Sequence, residues 1–174
     1  MLLALLLPTA CSPFSRRPAV HPLPLAPSAE VKGKPPAVSE RILDAARAAG
    51  LPLALAAPTD GYAETPWLDT AGFQATSRRP LGADVVRYRM WVDAARPNYS
   101  LVTIEPSYRL AADPSLPERE LDRLVPAGHP AYVRAESLLV RMGGRAVRRP
   151  AAAPVPGATP PPDSLRKTPA TPPR

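Results

Sequence analysis

The sequence predicts an α+β fold, in which a four-stranded antiparallel meander packs on one face against an N-terminal and a C-terminal helix. Two segments, 84–92 and 99–110, alternate apolar and polar residues with the period of two that is typical of half-buried antiparallel strands. Apolar residues recur at helical spacing on either side of the strands. The 27 prolines are too many for regular structure alone, because proline lacks a backbone N–H, so disordered arms should flank the fold.

The first helix is predicted over residues 39–49, where Ser39 is suited to cap the N-terminus by accepting a backbone N–H. Gly50 follows the last apolar residue and is suited to the left-handed conformation that ends many helices. A Pro-Thr-Asp-Gly turn signal then separates two extended runs. We expect a hairpin of roughly 52–57 and 62–68 around this turn.

The two clearest strands form a second hairpin, which is closed by a tight loop at 95–98. Pro106 is expected to bend the second of these strands or to interrupt its pairing, because proline cannot donate to the ladder. Further along, Ser115 and Glu118 have the spacing of a capping box, which predicts a short helix near 116–124.

A last helix is predicted from His129 and Pro130 to Gly143. Proline is favoured in the first turn, where its missing N–H costs nothing. His129 is positioned to cap the same end, so we expect it to act in capping rather than in catalysis. The apolar stripe of this helix consists of Tyr132, Ala135, Leu138, Leu139 and Met142.

The formal net charge of +7 comes from two flanking segments. Residues 12–37 contribute +3 and residues 144–174 contribute +5, whereas the segment between them has a net charge of −1. A folded nucleic-acid module would carry this excess on its own surface, so nucleic acid is not the expected partner. Both segments are rich in proline, which predicts an extended linker of up to roughly 80 Å at the N-terminal side and a disordered basic tail at the other.

The amino terminus has the features of an export signal. Residues 1–7 are an unbroken apolar run, which suits the core of a signal peptide. Such a run is too short to cross a bilayer, since a transmembrane helix needs about 20 residues. The small residues Thr9 and Ala10 follow, and Cys11, the only cysteine of the chain, stands directly after them.

This arrangement resembles the lipobox of bacterial lipoproteins. The resemblance implies that residues 1–10 are removed as a signal peptide and that Cys11 is lipidated. Residues 11–37 would then be a lipid-anchored linker to the domain at 38–143, and 144–174 the tail. Because Ser12 rather than aspartate follows the cysteine, the resemblance also implies the outer membrane, facing the periplasm. The alternatives are a plain signal peptide with an incidental cysteine and a frayed apolar end of the chain.

The domain at 38–143 offers little chemistry. No residues in it have the pattern of a nucleophile elbow, a metal site or a phosphate-binding loop, so we expect no enzymatic activity, no metal and no cofactor. Glu64 and Asp69 flank Trp67, and paired acids beside an aromatic side chain can serve glycan chemistry. A domain with this many acids contains such pairs by chance.

Two features predict contacts with a partner. The sheet face without helices is expected to expose a tryptophan among charged and polar residues, namely Arg87, Arg89, Trp91, Thr103 and Glu105. The connection at 70–83 is longer than most and carries Phe73, Arg78 and Arg79. The alternatives are ordinary cross-strand pairing of arginine with glutamate in the first case and a solvated loop in the second.

The layout of a helix, a four-stranded meander and a closing helix resembles small accessory lipoproteins of envelope machines, such as the BamC-type lipoproteins of outer-membrane protein assembly. The resemblance implies a non-enzymatic, partner-binding role. We therefore expect a lipid-anchored interaction or scaffolding module of the cell envelope, with an envelope protein as partner. The alternative is a periplasmic binder of a small apolar ligand or lipid, held in a groove between the sheet and the alanine-rich helices.

Overall fold

The computed structural model describes residues 15–146, which form an α+β fold with eight strands. The predicted fold class is therefore confirmed, although the predicted count of four strands is wrong. In chain order the elements are β1 (Ser28–Lys32), α1 (Pro35–Ala48), β2 (Leu55–Ala57), a 3-10 turn (Pro58–Asp60), β3 (Tyr62–Glu64), β4 (Leu68–Asp69), β5 (Val85–Ala94), β6 (Tyr99–Arg109), α2 (Glu118–Leu121), β7 (Asp122–Leu124), α3 (Pro130–Arg141) and β8 (Arg145–Ala146).

The strands form one antiparallel sheet in the order β2-β3-β5-β6-β1-β8. The four predicted strands are β2, β3, β5 and β6, and they are neighbours in the expected order. The short strand β4 pairs with β5 beyond the end of β3, and β7 pairs with β6 beyond the end of β1. The sheet is larger than predicted because both outer segments of the domain add a strand to it.

Strand β1 lies in the segment that was predicted to be a linker, and that prediction is wrong for residues 15–37, because residues 15–27 also bind the fold. β1 pairs with β6 from Ser28 opposite Thr103 to Lys32 opposite Tyr99, and its register buries Val31. Only five residues long and surrounded by prolines, it is too short to produce a clear period in the sequence. The predicted tail likewise begins too early, because β8 pairs with β1.

Helix α1 begins four residues earlier than predicted, at Pro35. Two prolines occupy its first positions, where a missing N–H costs nothing. Ser39 is therefore inside the helix, and its hydroxyl donates to the Pro35 carbonyl at 2.8 Å instead of capping. The end of the helix is as predicted, since Gly50 has a φ of +72°.

The two long helices pack on the same face of the sheet, as predicted. Val38, Ile42 and Ala46 of α1 share one buried cluster with the α3 residues Ala135 and Leu138. The sheet contributes the alternate residues of its central strands to this cluster, including Val86, Tyr88, Met90, Val92, Val102 and Ile104. The capping role of His129 is confirmed, because its Nδ1 accepts the backbone N–H of Ala131 at 3.2 Å.

The predicted helix at 116–124 is reduced to the single turn of α2, after which the chain extends into β7. The predicted capping box of Ser115 and Glu118 is also wrong. The residue that precedes α2 is Pro117, and the Ser115 hydroxyl donates to Asp113 at 2.6 Å. The segment is extended because β7 continues the ladder along Ser107–Arg109 of β6.

Pro106 leaves the pairing of β5 with β6 intact, contrary to expectation. It lies opposite Tyr88, whose backbone N–H and C=O are bonded to Thr65 on the other side of β5. Pro106 therefore occupies a non-hydrogen-bonded position, and its missing N–H faces the gap between β1 and β7. Among residues 15–146, no helix is both long and apolar enough to cross a bilayer.

Candidate functional site

The sheet face that was predicted to be exposed is covered. Arg87 and Arg89 are each 7% exposed and Trp91 is fully buried, as are Thr103 and Glu105. The prediction of an open contact face at these positions is therefore wrong. The cover consists of α2, Trp67 and residues 15–27, which we name the N-terminal strap.

Beneath this cover lies a network of ion pairs, which we name the buried ion network. It contains four arginines and four carboxylates, namely Glu64, Arg87, Arg89, Glu105, Arg109, Glu118, Arg119 and Asp122. Glu118 lies at its solvent edge, where its side chain is 68% exposed. Its charges are balanced, which is how a protein tolerates charged groups removed from water.

Asp122 at the start of β7 is the first centre of the network. Its side chain is fully buried and accepts hydrogen bonds from Arg89 at 2.5 Å, Arg109 at 3.0 Å and Arg87 at 3.3 Å. Burial alone would raise the pKa of Asp122, but these guanidinium groups outweigh it and hold the pKa below its ordinary value. The carboxylate therefore stays ionised and fastens β7 to the sheet.

Glu105 on β6 is the second centre. Arg119 of α2 binds both of its carboxylate oxygens, at 2.5 and 2.8 Å, which is the bidentate geometry that suits guanidinium. The backbone N–H of Leu23 donates to the same carboxylate at 2.5 Å, and Arg119 also donates to the carbonyl of His21. Glu105 therefore holds both α2 and the strap against the sheet.

Glu64 and Asp69, the pair considered for glycan chemistry, are engaged in separate contacts. Glu64 accepts the hydroxyl of Tyr62 at 2.5 Å and pairs with Arg87 at 2.8 Å. Burial, followed by the bond to Glu64, raises the pKa of the Tyr62 phenol. Asp69 instead accepts the backbone N–H of Gly72 at 2.8 Å and so shapes a turn.

Residues of the loop at 70–83 have different surroundings. Phe73 is 9% exposed and packs against Tyr88, with ring centroids 6.3 Å apart. It has a φ of +53°, and its backbone N–H bonds to the Asp69 carbonyl, so a tight turn directs it into the core. Arg78 and Arg79 are exposed, and Arg78 pairs with Asp84 at 2.5 Å.

A surface groove of about 640 Å³ lies between the C-terminus of α1 and the outer side of α3. The Arg134 guanidinium lies 4.4 Å from the centroid of Phe73 and donates to the Ala49 carbonyl. Val133 borders the groove and is 49% exposed. The remaining lining residues are Ala48, Gly128, Pro130, Ser137, Leu138 and Arg141.

The groove was not predicted from the sequence, although an exposed valine outside the apolar stripe of α3 was a signal for it. The predicted groove between sheet and helices is absent at α1, where the space between Ile42, Leu43, Met90 and Val92 is too tight for a water molecule. Of the predicted contact residues, only Phe73 lines the groove beside α3. Cys11 lies outside the described residues.

No family model, no curated protein and no solved structure matches this chain.

Proposed function

We propose that this chain is a lipid-anchored interaction module of the cell envelope, attached through Cys11 to the outer membrane and facing the periplasm. The observation that supports it best is the unbroken apolar run of residues 1–7, which Thr9, Ala10 and Cys11 follow. Among the described residues, the contacts of the strap with the rest of the fold begin at Arg16, five residues after this cysteine. Arg16 donates its backbone N–H to Asp60 at 2.7 Å, and Arg17 pairs with Asp93 at 2.7 Å. A lipid on Cys11 would thus hold an ordered domain rather than a long free linker.

The groove beside α3 supports the interaction role. α1 runs from Lys34, beside the hairpin of β5 and β6, towards the groove at its other end. Its 14 residues cover about 20 Å at the usual rise. The groove therefore lies at the end of α1 away from Arg16 and Arg17, the residues of the strap nearest to Cys11, where an envelope protein can approach it.

A binder of a small apolar ligand or lipid is the second candidate. The volume of about 640 Å³ falls in the range of small-molecule sites, roughly 300–1,000 Å³. Phe73 and Leu138 supply apolar lining, and Arg134 and Arg141 add positive charge, which suits an amphiphile with an anionic group.

The anchor is tested by replacing Cys11 with alanine. From the full gene with its upstream region, we expect the membrane fraction to contain a chain that begins at a diacylated or triacylated Cys11. The Cys11→Ala chain should be unprocessed or released from the membrane, since it has no thiol to acylate. Mass spectrometry of both fractions measures this. Ser12→Ala is the matched control and should behave as wild type, whereas an unmodified Met1 in the cytosol would contradict the anchor.

Photo-cross-linking from the groove distinguishes the two candidate functions. A photo-reactive phenylalanine analogue replaces Val133, and the same analogue at Leu110, 67% exposed, is the control. Irradiation of intact cells should join position 133, but not position 110, to one recurring envelope protein. A lipid or small-molecule adduct at position 133 would favour the second candidate. Equal products at both positions would reject the groove as a binding site.

A further inference from the structure

The first residues of the strap, Arg16 and Arg17, bind one end of the sheet, which we name the tethered end. Asp60, Asp93 and the β5–β6 loop at 95–98 lie there, and the strap attaches to both aspartates. The turn between β1 and α1 lies at the same end. The backbone N–H of Gly33 donates to the Asn98 carbonyl at 2.7 Å, and the Ser100 hydroxyl donates to the Gly33 carbonyl at 2.9 Å.

The tethered end has an excess of positive charge. Its basic residues are Arg16, Arg17, Lys32, Lys34, Arg41 and Arg96, and its acidic residues are Glu30, Glu40, Asp60 and Asp93, which leaves a net charge of +2. Three of these acids are already engaged: Asp93 with Arg17, Glu30 with Arg96 at 2.9 Å, and Asp60 with the backbone of Arg16.

Lys32, Lys34 and Arg41 outnumber Glu40, the exposed acid beside them on α1, and supply the positive charge that remains. All three are exposed, and none forms an ion pair with another residue of the 15–146 segment. Arg41 donates to the Lys32 carbonyl at 2.5 Å, which keeps its guanidinium at the turn that carries the two lysines. These cations therefore form one exposed patch on the turn between β1 and α1.

The spacing between Cys11 and Arg16 limits how far this patch can be from an anchoring membrane. Five residue steps span at most about 18 Å when fully extended. The potential of an anionic membrane decays over about 8–10 Å at physiological ionic strength. The tethered end is thus held within reach of the head groups, whereas the far end of α1 is about 20 Å further along the helix.

We propose that the tethered end rests on anionic lipid head groups, with Lys32, Lys34 and Arg41 as the contacting cations. This inference depends on the lipid anchor proposed above, and it adds an orientation to it. Each basic residue near an anionic surface strengthens membrane partition about fivefold, so three of them fix which side of the domain faces the bilayer. The groove beside α3 then faces away from the lipid.

Amine labelling on tethered vesicles tests the orientation. The full chain is coupled through Cys11, its only thiol, to maleimide-bearing lipid in vesicles of phosphatidylcholine alone or mixed with phosphatidylglycerol. Arg47→Lys supplies a reporter amine at the far end of α1. We expect several-fold slower labelling of Lys32 and Lys34 on the anionic vesicles than on the neutral ones, with no change at position 47. High salt should abolish the difference, because it screens the attraction.

Charge reversal provides the matched control. Lys34→Glu combined with Arg41→Glu should remove the protection of Lys32, whereas Arg47→Glu should leave it in place. Equal labelling of Lys32 on both vesicles, or equal protection at position 47, would overturn the orientation. The chemical tether makes this result independent of lipidation in cells, so a failed orientation and a failed anchor are separate outcomes.

Discussion

Replacing Asp122 with asparagine is expected to lower the free energy of unfolding by about 3–5 kcal/mol at neutral pH, the usual cost of breaking a buried ion pair. The change leaves Arg87, Arg89 and Arg109 without the carboxylate that they share. Denaturant unfolding of the full chain measures the loss. Asp84→Asn, which removes an exposed pair with Arg78, is the control and should cost under about 1 kcal/mol.

The contribution of Asp122 to the free energy of unfolding should also depend on pH, and it should decrease as the pH falls. Its pKa in the folded chain lies below the ordinary value of 3.8, so its ionised form stabilises the fold at every pH above that value. This stabilisation is lost as the pH falls below 3.8 towards the folded pKa. The difference in free energy of unfolding between the wild type and Asp122→Asn should therefore become smaller in strong acid. A difference that grows on acidification would contradict this role.

Replacing Trp91 with alanine is expected to cost about 3–5 kcal/mol, because it removes a fully buried indole from a packed layer. The ring makes an edge contact with Tyr62, with centroids 5.6 Å apart. Thermal and denaturant unfolding measure the loss. If Trp91 served only as a surface contact for a partner, the Trp91→Ala protein would unfold at almost the same denaturant concentration as the wild type.

Trp91→Phe is the matched control for this prediction. Within the described segment the indole N–H of Trp91 is buried and has no hydrogen-bond partner. Phenylalanine retains an aromatic ring and removes this unsatisfied donor, which offsets part of the lost packing. We expect a loss of under about 1.5 kcal/mol. A phenylalanine variant as unstable as the alanine variant would show that the indole N–H is satisfied in solution.

The sequence predicted the central strands, the two hairpins and the helix face of the sheet because these are local patterns. The alternation of apolar and polar residues in β5 predicts which side chains face the hydrophobic core, whatever the rest of the chain contains. It does not predict which parts of the chain cover the side chains on the opposite face of the sheet. Arg87 and Arg89 were expected in solvent because arginine is rarely buried without partners. Their partners, Glu64 and Asp122, are more than 20 residues away in opposite directions along the chain.

The strap and β1 were missed for a related reason. Proline-rich sequence without a period predicts a linker when the chain is considered alone. Here the extended conformation that proline favours lets the segment lie along the sheet, and the contacts come from Glu105, Arg119 and Tyr132. The amino-acid composition gives the net charge of the strap, but it does not predict where the strap lies on the fold. The groove also depends on how α1 packs beside α3, and the sequence pattern of either helix alone does not predict that packing.

The path of the strap has a mechanical consequence. It runs along the sheet away from Asp93, turns near Leu25, where φ is +66°, and returns as β1 between β6 and β8. A force that pulls on the chain before Ser15 would break the contacts of the strap one after another. The hydrogen bonds of β1 in the sheet would bear the force only after the strap had detached. The strap can therefore extend under tension while the hydrophobic core remains packed.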